Sequence, residues 1–186
     1  MPHLPLMDQA VDCSVGFMKN AMGSSSFTNN DTTVYCHVNI LPDIAQRVGA
    51  VSCIEVHWNE GTSWSRNKYF ADIVGHIFNK IVRDDLRRTF VLELWVCAGV
   101  RNTLMCAFNA AVLALIDAGV PLGKMVHAAA FDEQKEGVVL FEDDRTVFVH
   151  SFGDVDEHGI KSAENKLTGI RDIMRFRLES KCGFNL

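Results

Sequence analysis

The chain has 186 residues, 48% of them hydrophobic, enough for one domain with a sizeable core. Its formal net charge of -5 excludes a general polyanion binder. Contact with nucleic acid would need a local basic patch or basic partners.

The six cysteines, at 13, 36, 53, 97, 106 and 182, form no C-x-x-C pair and no zinc-like spacing. Most sit in apolar stretches, so buried free thiols in a reducing compartment are expected. The N-terminus shows no basic region followed by an apolar run, and no run is long enough to span a bilayer. An intracellular protein without a membrane segment is expected. Asn30-Asp31-Thr32 matches a glycosylation acceptor, but without a secretion signal it reads as a turn.

Taken in order, Ala10 to Val15 predicts a short strand. Gly23-Ser24-Ser25-Ser26-Phe27 leads to the turn signal Asn29-Asn30-Asp31. Thr32 to Ile40, β-branched and aromatic, then completes a hairpin. Val48 to His57 alternates as a further strand, ended by Asn59-Glu60-Gly61. From Ser65 to Arg83 the period changes. Phe70, Ile73, Val74, Ile77, Phe78, Ile81 and Val82 recur at helical spacing and predict an amphipathic helix. Phe90 to Ala98 is a strand, and Gly99 to Asn102 a short loop.

The helix that follows, from about Thr103, is apolar almost all the way round, the mark of a helix buried in a core. Ala107, Ala110, Ala111 and Ala114 would admit close backbone neighbours, while Gly119 and Pro121 end it. Asn109 lies inside the apolar run and needs a partner, since an unpaired buried amide costs roughly 1–3 kcal/mol. Val126 to Phe131 and Val138 to Phe141 predict a second hairpin across 132–137, and Thr146 to Phe152 another strand. A charged helix from about Ile160 to Cys182 carries Ala163, Leu167, Ile170, Ile173, Met174 and Phe176 toward the body. Hairpins grouped with helices argue for an α+β fold with mixed or antiparallel sheets packed with helices. No linker divides the chain, so a single domain over 1–186 is expected.

Three stretches together resemble the RNase PH family. They are Gly23 to Phe27 with Asp31-Thr32-Thr33-Val34, then Arg88-Thr89 opening a strand that ends in a glycine loop, then Asn109-Ala110-Ala111 through Leu115-Ile116-Asp117-Ala118-Gly119-Val120-Pro121. The resemblance covers nearly the whole chain. It implies the RNase PH-like fold (ribosomal protein S5 domain 2-like) with two βαβ-like halves. Within the family, the chain is most similar to the RNase PH-like ring subunits of the eukaryotic RNA exosome, and its final helix, with Met174 to Ser180, supports this.

Active members use inorganic phosphate to attack the 3′ end of RNA. They hold phosphate with an arginine on the first helix and another in the glycine loop, and two aspartates complete the site. Here His76 stands at the first arginine's position and cannot form the bidentate fork that arginine makes with phosphate. In the glycine loop, alignment from Gly99 places Arg101 at the phosphate position, and alignment back from Asn109 places Leu104 there. Arg101 at a helix N-terminus could hold a phosphate, or be a solvated loop side chain. The acidic segment is compressed to Glu142-Asp143-Asp144-Arg145, which leaves Asp143 and Asp144 as vestigial candidates or a charged hairpin turn.

Trp58, Trp64, Tyr69 and Phe70, with Arg66 and Lys68 between them, could stack single-stranded RNA or pack on a neighbouring subunit. His37 and His57 could face each other across adjacent strands, but with no third ligand in register no metal site is expected. Ser24 to Ser26 lack the setting of a nucleophile elbow, and Cys106 lies in an apolar helix that disfavours a thiolate.

The expectation is a catalytically inactive structural subunit of the exosome ring, without cofactor, acting in RNA processing and degradation. Its partners would be other RNase PH-like subunits, paired as a heterodimer within a hexameric ring, with cap proteins and single-stranded RNA reached through the assembled ring. It would reside in the nucleus, including the nucleolus, and in the cytoplasm. The alternative is an active phosphate-dependent 3′–5′ exoribonuclease using Arg101 and Asp144, with inorganic phosphate and magnesium. A third possibility is a homodimeric nuclease or scaffold that has left the exosome.

Overall fold

The computed structural model describes residues 10–41, 53–61, 64–83, 88–99, 101–131, 137–155 and 157–183. The start of the strand expected from Val48 and the turn expected over 132–136 lie outside them. Eight strands and three helices follow one another: β1 (Val11–Val15), β2 (Gly23–Asn29), β3 (Thr32–Ile40), β4 (Cys53–Asn59), α1 (Trp64–Ile81), β5 (Thr89–Ala98), α2 (Thr103–Asp117), β6 (Val126–Ala130), β7 (Gly137–Glu142), β8 (Arg145–Ser151) and α3 (Glu157–Lys181). They form a five-stranded sheet in the order β1-β2-β3-β5-β4 and a three-stranded sheet in the order β6-β7-β8. β4 and β5 are parallel, joined through α1 as a βαβ unit. Every other pairing is antiparallel, and the second half is a meander closed by α3. This is the mixed α+β arrangement the sequence led one to expect.

The core lies where the apolar helix predicted it. Every residue of α2 from Thr103 to Leu115 is buried. The helix packs on β2 and β3 on one side and on β6 on the other. Small residues make that approach possible. A Cβ at Gly23 would collide with the Ala114 carbonyl and with Ala118, and Ser25 Oγ donates to Ala110 O at 2.5 Å.

Asn109 finds its partner in β6. Its Nδ2 donates to Ala128 O at 2.8 Å while its Oδ1 accepts the Ala128 N–H at 2.9 Å. The amide thus takes the place of a neighbouring strand. Asn79 of α1 does the same for β4, bonding both Ile54 N–H (2.8 Å) and Ile54 O (3.0 Å). One hydrophobic cluster joins both sheets and all three helices.

α3 buries Ala163, Leu167, Ile170 and Met174 at alternating spacings of four and three, with Ile173 half-buried. Phe176, expected on the same face, is instead 62% exposed. Two residues beyond Met174, it is turned about 200° from the buried stripe. Cys13, Cys36 and Cys106 are buried as expected, whereas Cys97 and Cys182 are exposed. Burial pushes the Cys13 thiol up to about 11 and the Cys106 thiol to about 12, so neither is a nucleophile.

Candidate functional site

The two ends of α2 carry different chemistry. At its N-terminus the chain turns sharply: Gly99 has φ +73° and Asn102 φ +57°. Glycine is required at the first position because a Cβ would strike Thr32. Thr32 Oγ1 in turn donates to Arg101 O at 2.6 Å, fixing the loop by its backbone. Asn102 stands at the N-cap without a side-chain capping bond.

Beside this turn opens a shallow crevice, continuous with solvent, lined by Phe70, Asn102, Leu104, Met105, Gly137, Val138, His150 and Phe152. Its walls are largely aromatic. Phe70 touches the rings of Trp58 (5.0 Å between centroids), Phe152 (6.0 Å) and His150 (6.4 Å). Tyr69 Oη lies 3.0 Å from His150 Nε2. Burial lowers the His150 pKa and favours its neutral form. Among the described residues of the lining none carries a fixed charge. Phosphorolysis needs cations for phosphate and carboxylates for a metal ion or proton transfer, so the lining does not fit inorganic phosphate with magnesium.

Two of the cationic candidates near this end, Arg66 and Lys68, are already engaged. Arg66 lies over the Phe70 ring at 5.3 Å and faces Glu60, with Nε 3.6 Å from Oε2 of that buried carboxylate. Glu60 also accepts from Trp58 Nε1 at 3.3 Å. Lys68 is exposed and lies 5.5 Å over the Trp64 ring. Arg101 is exposed on the loop. His76 is exposed on α1 and lies outside the crevice lining.

The acidic candidates belong to the other end. Asp143, with φ +51°, and Asp144 form the turn between β7 and β8. β7 enters that turn from Glu142, which is paired with Val126 just after α2 has ended, whereas Gly137 at its start lines the crevice. The turn and the crevice therefore lie at opposite ends of β7, roughly 20 Å apart. The Asp144 side chain is 91% exposed and forms an ion pair with Arg171 of α3, 2.7 Å from Nη1 to Oδ1. Arg101 and Asp144 do not share a site.

This C-terminal end holds further polar groups that sequence reasoning did not single out. Asp117, only 4% exposed, accepts the Ser24 N–H at 2.8 Å and pairs with Lys181. His127 is buried on β6, and desolvation, reinforced by Arg171, lowers its pKa to about 4, with Asp143 opposing. The crevice residues were missed for another reason: Phe70, Met105, His150 and Phe152 are remote in sequence, and only the tertiary packing brings them together. His37 and His57, which adjacent strands could have set face to face, do not meet, because β5 lies between β3 and β4. Glu93 stands opposite both His37 and His57, 3.3 Å from His37 Nε2. Among the described residues no group of three His, Cys, Asp or Glu side chains could hold a metal ion.

With that geometry in place, comparison with known proteins supplies the family. Residues 8–121 match the model of the 3′ exoribonuclease family, domain 1. The chain belongs to the RNase PH family. Among solved structures it is similar to rice (Oryza sativa) Rrp46, with a TM-score of 0.77 and 22% identity over 95% of this chain and 98% of that one. This likeness supports the RNase PH-like fold through the second half as well, beyond the segment covered by the family model. No match was found among curated proteins.

Proposed function

We propose that this RNase PH-family chain is a non-catalytic structural subunit of the RNA exosome ring. In that role it pairs with other RNase PH-like chains, supports cap proteins and helps pass RNA 3′ ends to a separate nuclease. The observation that carries the reading is the separation of charges along α2. The end facing the glycine loop opens into an aromatic crevice with no charge among its described residues, while the acidic turn lies at the far end of β7, roughly 20 Å away. Phosphoryl transfer needs cation, carboxylate and phosphate within a few ångströms. The family resemblance supports the ring assignment, and an acidic chain suits it, since a ring subunit needs few basic side chains toward a channel. Arg66, Lys68 and Arg101 are the candidates for RNA contact, with residence in nucleus, nucleolus and cytoplasm.

The test is affinity purification of the tagged protein from its own cells. Equal recovery of several RNase PH-like chains and cap proteins is the expected result. Recovery of the protein alone would sink the ring assignment.

A further inference from the structure

We propose that the outer face of the five-stranded sheet is a docking surface for an arginine-bearing segment of a partner protein, seated on Trp95, Tyr35 and Glu93. The inward residues of that sheet, Val34, Cys36, Leu92 and Leu94 among them, share one hydrophobic cluster with all three helices. The alternate residues of β3 and β5 point the other way and stay accessible, Tyr35 being 40% and Trp95 46% exposed.

A sheet with one face in water reads polar on that face. Much of this face does. Ser14 and Ser26 are hydrogen-bonded at 2.7 Å, and Thr28 and Thr33 at 3.0 Å. Aromatic rings interrupt the pattern at its centre. Tyr35 and Trp95 stand opposite each other on β3 and β5, and Phe17 meets Tyr35 edge-on with ring centroids 5.6 Å apart. Exposed Trp and Tyr within a polar rim have the composition of an interface centre. In the same face, His37 and Glu93 form the pair two residues along. Glu93 thus stands beside Trp95, held by His37 Nε2 at 3.3 Å, with its side chain still 33% exposed.

Charge selects the occupant. Single-stranded RNA stacks on sheet aromatics too, but it needs cations along its backbone. No lysine or arginine occurs in β1 to β5, and the ionised acids there, Asp12, Glu55 and Glu93, all lie on the outward side. β3 and β5 are each paired on both sides, so their backbones offer nothing to an added strand. Recognition falls to side chains. A guanidinium can lie flat on Trp95 and Tyr35 while its fork reaches Glu93, a combination that a lysine ammonium does not match. This inference does not depend on membership of a ring.

Fluorescence anisotropy with the purified full-length chain tests it, using labelled probes of equal length: a peptide of alternating glycine and arginine, its lysine counterpart, and single-stranded RNA. The arginine peptide should bind more tightly than the lysine peptide, and less tightly as salt rises. Trp95→Ala leaves the net charge unchanged and should weaken the arginine peptide roughly fivefold. Glu93→Gln, nearly identical in shape, should weaken it by a similar factor, and it decides the matter if Trp95→Ala disturbs folding. No binding of the arginine peptide overturns the proposal. So does a lysine peptide that binds equally well, or arginine-peptide binding that neither substitution weakens. RNA binding that Trp95→Ala weakens, with peptide binding unchanged, overturns it as well.

Discussion

The crevice at the N-terminal end of α2 is aromatic and bears no fixed charge among its described residues, whereas Asp117 at the C-terminal end pairs with Lys181, and the acidic β7–β8 turn pairs with Arg171 through Asp144. One buried helix thus separates two environments that a phosphorolytic enzyme would have to merge. Residues of the family's signature stretches carry packing roles at both ends. Gly99, Asn109 and Asp117 each have a structural task here: a tight turn against Thr32, a bridge to β6, and an anchor for β2 and α3.

The sharpest way to break the comparison is to disturb the C-terminal anchor. Asp117→Ala removes a buried carboxylate that holds the Ser24 N–H and Lys181, and should cost about 3 kcal/mol in urea unfolding. An equivalent change at the other end, Arg101→Ala, should cost less than about 0.5 kcal/mol, because the side chain is exposed.

Acid should act on the same end. His127 is held neutral by the fold, with a pKa lowered from 6.5 to about 4. A base depressed in this way brings no penalty above its unfolded value. As pH falls below about 6.5, the unfolded chain takes up the proton first and stability declines, until the loss levels off below about 4. Between pH 7 and 5 this group should account for about 2 kcal/mol. The difference between the unaltered chain and His127→Gln across that range measures it, and equal slopes for both would contradict the assignment.

Next in size is Arg66→Ala. It strips the cation from the Phe70 ring and leaves Glu60 buried without it, at about 1–2 kcal/mol. Double substitution with Glu60→Gln should recover part of that loss. A smaller effect than Arg66→Ala belongs to Asp144→Ala, which removes an exposed ion pair with Arg171 and should shift stability by less than about 1 kcal/mol.

Much of this was legible in the sequence. The apolar girth of α2 announced its burial, and the lone polar residue within it announced a bridge, although not that the bridge would be to Ala128. Helical periodicity placed α1 and α3 to within a few residues. Phe176 was misplaced because a hydrophobic residue near a stripe was read as part of it, without following the 100° step per residue. The separation of Asp144 from Arg101 was beyond sequence reasoning. An acidic turn between two strands looks the same at either end of a sheet, and only the register of β6 on β7 fixes which end it occupies. The crevice depends on four remote stretches meeting, for which no local pattern exists.

The central claim is that these two ends do not make a phosphorolytic site. Its most direct test is release of nucleoside diphosphates from single-stranded RNA by the purified chain, with inorganic phosphate and magnesium, alone and with its co-purified partners. The account predicts no phosphate-dependent release attributable to this chain, and no change on Asp144→Ala. Phosphate-dependent release that Asp144→Ala or Arg101→Ala abolishes would contradict it.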